Sequence, residues 1–183
     1  TVIERVRSAL YALGRPAKVA SAEPADTAEP LVGALAPDLL AACIDTLAVL
    51  GETSDGKRIC VGRLAGGSPL LREIGRLREL TFRAVGEGTG KRMDVDAFDT
   101  WYEHIVLWDA AQRKIAGAYR IARGAPVLAA QGLKGLYTAS LFDYADDALP
   151  RLAAGMELGR SFVVPEYWGS RSIDYLWQGI GAY

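Results

Sequence analysis

At 183 residues, half of them apolar, the chain has material for one domain of ordinary size with a sizeable core. Its 21 basic and 22 acidic residues are well mixed and leave a net charge of −1, so no global field favours nucleic acid or an anionic membrane. No apolar run approaches the roughly 20 residues that span a bilayer and no signal-peptide pattern opens the chain, which makes a soluble cytoplasmic protein the expectation. Cys43 and Cys60, with 16 residues between them, match no metal-ligand spacing and sit in apolar stretches, as free thiols in a reducing compartment do; a single disulfide is the alternative. One histidine, two separated cysteines and scattered carboxylates form no ligand cluster, so no metal is expected. A chain that starts at Thr1 and stops with a helix at Tyr183 reads as a piece of a longer protein.

Residues 1–14 space Val2, Ile3, Val6, Leu10 and Leu13 among charged side chains as a short amphipathic helix does, and Gly14 and Pro16 end it. Residues 15–30 hold three of the eight prolines, a composition that suits neither helix nor strand. Residues 1–30 are therefore read as a helix and linker, and 31–183 as the domain. Pro37-Asp38 opens a helix carrying Leu39, Leu40, Cys43, Ile44 and Leu47 that Gly51 closes. After a turn at 53–57, residues 58–63 are β-rich enough for a first strand. Ser68-Pro69 fits an N-cap followed by proline, and Leu70, Ile74, Leu77 and Ala84 continue an amphipathic helix that ends near Gly86. Residues 86–100 are rich in glycine and charge and read as a loop. Residues 104–109 and 115–122 form a hairpin about a turn at 110–113, and 136–144 is a further extended piece. An apolar strand over 157–164 then turns at Gly169 into a helix that starts near Ser172. Strands alternating with helices make an α/β domain with a mixed sheet.

The turn at Gly169 carries the most chemistry. A helix N-terminus leaves backbone N–H groups without partners and carries partial positive charge, so a small-residue turn feeding a helix makes an anion cradle. Here the cradle is Gly169, Ser170, Arg171, Ser172 and Ile173; the alternative is ordinary punctuation between strand and helix. The run Val163-Val-Pro165-Glu-Tyr167-Trp168-Gly169-Ser-Arg171-Ser-Ile173 resembles the V-x-P-x-Y-R-G-x-G-I acyl-donor signature of the GNAT superfamily of N-acyltransferases. Trp168 stands where that pattern has Arg, and Arg171 where it has the second Gly. Arg78-Glu-Leu-Thr-Phe82, Asp94-Val-Asp96-Ala-Phe98-Asp99, Gly117-Ala-Tyr-Arg120, Leu141-Phe142-Asp143 and Glu157-Leu-Gly-Arg160 extend the likeness. In order and spacing these pieces are similar to the acyltransferases that make ornithine lipids and related N-acyl amino acids, and more distantly to acyl-homoserine lactone synthases. Residues 72–90 look closest to bifunctional synthases in which a lysophospholipid-acyltransferase-like domain precedes the N-acyltransferase.

The resemblance implies a GNAT-like fold, a mixed and mainly antiparallel sheet flanked by helices, with C-terminal strands beyond Tyr183. It implies direct transfer of a fatty acyl group to the α-amine of an amino acid such as ornithine or glutamine. The co-substrate is the acyl-phosphopantetheine of acyl carrier protein or acyl-coenzyme A, and the altered Trp168 and Arg171 favour the carrier protein. Backbone amides at Phe162, Val163 and Val164 are the expected thioester and pantetheine donors, because the strand must splay where the thioester enters, and Gly169, Ser170, Arg171, Ser172 and Ile173 are expected to hold the phosphate.

Attack by an amine needs a base and donors for the developing oxyanion. Glu157 is the expected base, or the group that positions a water, with Arg160 and Asp99 beside it as catalytic residues. Three residues apart in a regular strand, Glu157 and Arg160 point to opposite faces, and a bulge would change that. Arg78, Arg120 and Arg160 are each able to bind a carboxylate through two parallel hydrogen bonds or to brace the aspartates. Asp94, Asp96 and Asp99 place three carboxylates within six residues; Asp94 reads as part of a solvated acidic loop, whereas the resemblance puts Asp96 and Asp99 in the site. Phe82, Asp96 and Asp143 complete the expected substrate pocket with Arg78 and Arg120, and Phe82 and Trp168 are candidates to line an acyl tunnel. His104 reads as structural. The expected partners are acyl carrier protein, an amino-acid acceptor and an upstream acyltransferase-like domain, with the protein in the cytoplasm or peripheral at the inner membrane. The rival readings are a homoserine-lactone signal synthase and a non-catalytic acyl-carrier-binding module.

Overall fold

The computed structural model describes residues 28–183, so the helix predicted over 1–14 and nearly all of the linker lie outside the described residues. Five strands form one sheet in chain order: β1 (Ala48–Glu52), β2 (Arg58–Arg63), β3 (Glu103–Asp109), β4 (Lys114–Arg123) and β5 (Met156–Val163). Each pairs antiparallel with the next, so the described sheet is antiparallel throughout and the expected mixture is not present in it. The predicted hairpin is β3 and β4. These two strands read as near-continuous apolar runs because both of their faces are covered.

On one face lie α1 (Pro37–Ile44) and α2 (Pro69–Ala84), packing Leu40, Leu71, Ile74 and Leu77 over Cys60, Val106, Ala118 and Phe162. The other face is covered by α5 (Ser172–Ala182), whose Tyr175, Leu176 and Ile180 meet Ile59, Ile105, Leu107 and Ile121. The α2 start is as read from the sequence: the Ser68 hydroxyl accepts from the Leu71 amide at 3.3 Å, and Pro69 follows. Two helices that the sequence did not reveal, α3 (Gly124–Gln131) and α4 (Leu149–Ala154), lie between β4 and β5.

The helix predicted from Pro37 to Gly51 stops at Ile44, where the Thr46 hydroxyl bonds back to the Cys43 carbonyl at 2.7 Å. Ala48 and Val49 then pair with Val61 and Cys60, so this segment becomes β1 and the predicted first strand becomes β2. The piece expected to be extended at 136–144 contains instead the 3-10 turn Tyr137–Ser140. Its first two amides are captured by the Glu157 carboxylate, which gives the turn a partner that a lone strand would lack.

Two features position the site. Ala118 pairs with Phe162 but Arg120 pairs with Gly159, so Arg160 and Ser161 together oppose Tyr119 in a β-bulge. Arg160 adopts φ 49°, the left-handed conformation that a non-glycine residue rarely takes. The bulge shifts side-chain parity: Leu158 faces α5 while Phe162 faces α2. Glu157 and Arg160 consequently both reach Tyr137.

The second feature is the loop after α2, which is ordered by a buried acid. Glu79, with no exposed side-chain surface, accepts from Arg83 Nε at 2.7 Å, from the Thr89 amide and hydroxyl at 3.0 and 2.7 Å, and from the Gly90 amide at 2.9 Å. Farther along, the Asp94 amide donates to the Gly75 carbonyl at 3.0 Å. A Cβ on Gly75 would stand 2.4 Å from Val95 Cγ2 and 3.2 Å from the Asp94 carbonyl oxygen, so glycine is what lets the loop dock on the helix. Gly-to-Ala in a helix ordinarily stabilises by up to about 1 kcal/mol. At this position Gly75→Ala is expected to destabilise by about 1–3 kcal/mol through overpacking, read from urea unfolding; a gain in stability would show that the loop is not seated there.

Candidate active site

An arginine on the apolar stripe of a helix must find an anion, and Arg78 of α2 finds Asp99, the last acid of the Asp94-x-Asp96-x-x-Asp99 segment. Arg78 Nη2 donates to Asp99 Oδ1 at 3.0 Å, and both side chains are buried. The same Oδ1 receives His104 Nε2 at 3.1 Å and lies 3.3 Å from Arg120 Nη1, while Oδ2 accepts the Asp96 amide at 2.8 Å. His104 and Arg120 are register partners on β3 and β4, on the α2 side of the sheet. Burial by itself would raise the Asp99 carboxyl; the His104 hydrogen bond and the Arg78 charge outweigh it and hold the group well below the usual carboxylate range. A carboxylate only accepts, so Nε2 of His104 carries the proton in this pair.

Outward from this pair the charges alternate. Arg120 Nη1 donates to Asp96 Oδ1 at 2.5 Å, and Asp96 Oδ2 stands 3.5 Å from Arg160 Nη2. Asp96 and Arg160 are 26% and 28% exposed, whereas Arg78, Arg120 and Asp99 are at most 1% exposed, so this pair is where the network meets solvent. Aromatic rings frame the arginines. The Arg120 guanidinium lies 5.7, 5.2 and 5.5 Å from the ring centres of Phe98, Tyr102 and Tyr137, and that of Arg160 lies 5.4 Å from Tyr137. Asp94, expected in a solvated loop, is instead 4% exposed, and its Oδ2 lies 3.3 Å from Arg160 Nε. Burial pushes its carboxyl up, against the opposing charges of Arg78 and Arg160.

Glu157 is anchored from three sides. Oε2 accepts the Tyr102 hydroxyl at 2.7 Å and the Tyr137 amide at 3.1 Å, and Oε1 accepts the Thr138 amide at 2.8 Å. Burial and the Glu157 contact raise the Tyr102 phenol far above its ordinary range, so it stays protonated and donates. Of the roughly four acceptor positions on a carboxylate, one on Oε1 is left over. Glu157 and Thr138 line a cavity of about 540 Å³ together with Leu136, Tyr144, Leu152 and Leu158.

The turn from β5 into α5 has the predicted shape. Gly169 takes φ 76°, and α5 begins at Ser172 without a side-chain cap. The Ser170 hydroxyl bonds the Ser172 amide and hydroxyl at 3.2 and 2.8 Å, while no described acceptor takes the amides of Gly169, Arg171, Ile173 and Asp174. The Asp174 carboxylate in this first turn lies 3.6 Å from Arg171 Nε. Of the three strand amides expected to serve a thioester, that of Val164 is already given to the Ala116 carbonyl at 2.9 Å and is not free. By alternation the Val163 amide and carbonyl face the open edge of β5, and the carbonyl accepts Trp168 Nε1 at 2.6 Å.

Thus Arg78, Asp96, Asp99, Arg120, Glu157 and Arg160 converge, as do Gly169, Ser170, Arg171, Ser172 and Ile173. Asp143 stands exposed with no hydrogen bond or ion pair to a described residue. Phe82 packs against the core below α2, and Trp168 is half-exposed on the Gly169 turn. Sequence reasoning missed Tyr102 and Tyr137, which bind Glu157 and stack on the arginines. The aromatic cluster Phe98, Trp101, Tyr102 beside the acidic segment was the available signal. Among the described residues no group of three or more His, Cys, Asp and Glu side chains could hold a metal, and no helix is long and apolar enough to cross a membrane.

Residues 77–178 match the family described as acetyltransferase (GNAT) domain, and the chain belongs to that family. Among curated proteins it is similar to the glycine N(alpha)-acyltransferase of Phocaeicola vulgatus, 41% identical over 125 residues that make up 62% of this chain and 38% of that protein. The glycine N(alpha)-acyltransferase of Bacteroides thetaiotaomicron is 40% identical over 125 residues, 62% of this chain and 37% of that protein. The L-ornithine N(alpha)-acyltransferase of Brucella abortus is 34% identical over 149 residues, 71% of this chain and 52% of that protein. The chain therefore spans 37% to 52% of the length of these three relatives. No solved structure matches it.

His104, the single histidine of the sequence, supplies a test of the network. Burial lowers its pKa and outweighs the opposing bond to Asp99, so the folded imidazole resists protonation. The unfolded chain takes up that proton near pH 6.5, and stability is expected to fall as pH drops below this value, by at most about 1.4 kcal/mol per unit. Urea unfolding between pH 7.5 and 5 should show this slope, and His104→Gln should flatten it. Asp94 acts with the opposite sign in both proteins, so the difference isolates the histidine; equal slopes would contradict the assignment.

Proposed function

We propose that the chain carries an N-acyltransferase site that moves a fatty acyl group from a phosphopantetheine thioester to the α-amine of an amino acid. The observation that carries this reading is the Asp96 and Arg160 pair: two opposite charges, both partly exposed, backed by a buried network that fixes their positions. An amino acid offers the complementary pair. Its ammonium meets Asp96, and its carboxylate meets the Arg160 guanidinium, which binds such groups in a planar, two-pronged fashion. The names of the relatives, which act on glycine and L-ornithine, support an amino-acid acceptor.

In the proposed step, Glu157 Oε1 accepts a proton from the ammonium, directly or through a water, while three donors hold the carboxylate in place. The freed amine attacks the thioester carbonyl; the C–N bond forms, the C–S bond breaks, and the thiolate takes up the proton that the nitrogen loses. The Val163 amide at the open edge of β5 is the donor proposed for the oxyanion or the pantetheine amides. The unpartnered amides of Gly169, Arg171 and Ile173, with the Ser170 and Ser172 hydroxyls, receive the phosphate. Arg171, exposed where the donor signature has glycine, supports an acidic carrier protein over free coenzyme A as the donor. In the whole protein we place this activity in the cytoplasm or at the inner membrane surface. The uncovered length of the relatives supports a further acyltransferase-like domain in it.

Incubating the chain with acyl carrier protein or coenzyme A thioesters and glycine, ornithine or glutamine should yield N-acyl amino acids by mass spectrometry, fastest with the carrier. Glu157→Gln should lower kcat by about 10²–10⁴-fold while remaining folded. Near-normal turnover of that variant would remove Glu157 from the chemistry. Binding of acyl carrier without transfer to any amine would overturn the enzymatic reading.

A further inference from the structure

Arg160 is the arginine of the network that reaches solvent, and its position is the least secure. Its backbone occupies the left-handed region at φ 49°, which is costly in a non-glycine residue and persists only where the surroundings over-determine it. Its three guanidinium nitrogens have different neighbours. Nη2 faces Asp96 at 3.5 Å, Nη1 has no described acceptor, and Nε faces Asp94 at 3.3 Å. Asp94 Oδ2 and Arg160 Nε are both buried, neither has a hydrogen-bond partner, and they face each other as an ion pair at 3.3 Å.

The two aspartates beside Arg160 differ in what they are free to do. Asp96 is partly exposed and already shared with Arg120, and in the proposed reaction it turns to the incoming ammonium. Asp94 is 4% exposed and held from behind, since its amide is tied to Gly75 of α2, at the position where any side chain would collide with Val95. Once an acceptor draws on Asp96, Asp94 is the fixed anion that remains against Arg160. The groups that face Asp94 are Arg78 from α2, Arg160 from β5, and Asp96 and Asp99 from its own segment, so the arginine on the solvent side is the one it can steer.

We propose that Asp94 is a positioning residue for amino-acid binding: its buried carboxylate, 3.3 Å from Nε, holds the Arg160 guanidinium by charge from the Nε side and leaves the two Nη groups to receive the carboxylate of the acceptor. This role rests on the acceptor site proposed above, and it adds to that site a residue that never touches substrate. It also gives the bulge a purpose, because the left-handed turn at Arg160 brings Nε within reach of Asp94.

The test follows the Arg160 Nε–H signal in ¹⁵N-labelled chain by NMR, assigned by its loss in Arg160→Lys, during titration with glycine and ornithine. In the wild type the amino acid should shift this signal saturably. In Asp94→Asn the free-state signal should move and exchange faster with solvent, and the amino acid should bind about tenfold more weakly, while the Arg78 and Arg120 signals keep their positions. In an Arg160→Lys background, which removes Nε, Asp94→Asn should cause no further loss of binding. Unfolding midpoints measured on each variant confirm that folded protein is compared. An unchanged Nε signal or unchanged affinity in Asp94→Asn would overturn the proposal, as would an equal loss in the Arg160→Lys background. Acyl transfer assayed in parallel separates the two readings: binding weakened by Asp94→Asn in a wild type that transfers nothing supports the role of Asp94 and overturns the acyltransferase function.

Discussion

A carboxylate with no exposed surface has to be compensated where it stands, and Asp99 is that carboxylate. Stripping a charged group of water costs several kcal/mol, so its burial is tolerable only with cations and hydrogen-bond donors around it. Here they arrive from separate elements: Arg78 from α2, His104 from β3, Arg120 from β4, and the Asp96 amide from the turn that carries Asp99 itself. One anion thereby pins helix, sheet and acidic loop to a common point. From it the charges alternate outward through Arg120 and Asp96 to Arg160, so the exposed pair inherits its position from a buried one.

The bulge in β5 is the second constraint. Without the extra residue, Glu157 and Arg160 would lie on opposite faces; with it, both work against Tyr137. Glu157 then has two tasks that reinforce each other. Its bonds to Tyr102, Tyr137 and Thr138 fold the 137–140 turn over the arginines, and the same bonds fix the carboxylate beside them. The turn proposed to cradle the donor follows the far end of the same strand, so one β-strand links the group proposed as base to the segment proposed to hold the thioester.

Much of this was legible because the chemistry leaves unmistakable residues. An arginine inside the apolar stripe Ile74, Leu77, Arg78, Thr81 has to have a buried partner, and Asp96 and Asp99 are spaced to supply one. The Ser68-Pro69 cap, the β3–β4 hairpin and the Gly169 turn were readable from local signals alone. What stayed hidden depends on partners far along the chain. The 137–140 turn is set by Glu157, 20 residues later than Tyr137, and nothing in its own sequence declares it. Asp94 looks like any loop acid until Gly75 is seen to admit its segment onto α2. Likewise Glu79, which gathers the glycine-rich loop, reads as an ordinary helix glutamate. The β1 strand was mistaken for helix because pairing with β2 overrides a local pattern that both structures could satisfy.

The central claim, that the site is built on the buried Asp99 charge, is tested most directly by a double-mutant cycle on Arg78 and Asp99. Unfolding free energies are measured for Arg78→Met, Asp99→Asn and the double variant. Each single change takes from the other buried group its oppositely charged partner across α2 and the acidic segment and should cost about 3–5 kcal/mol, whereas the double variant should cost less than their sum by about 2 kcal/mol or more. Costs that add to within about 0.5 kcal/mol would mean that the two residues do not depend on each other, and would contradict the account.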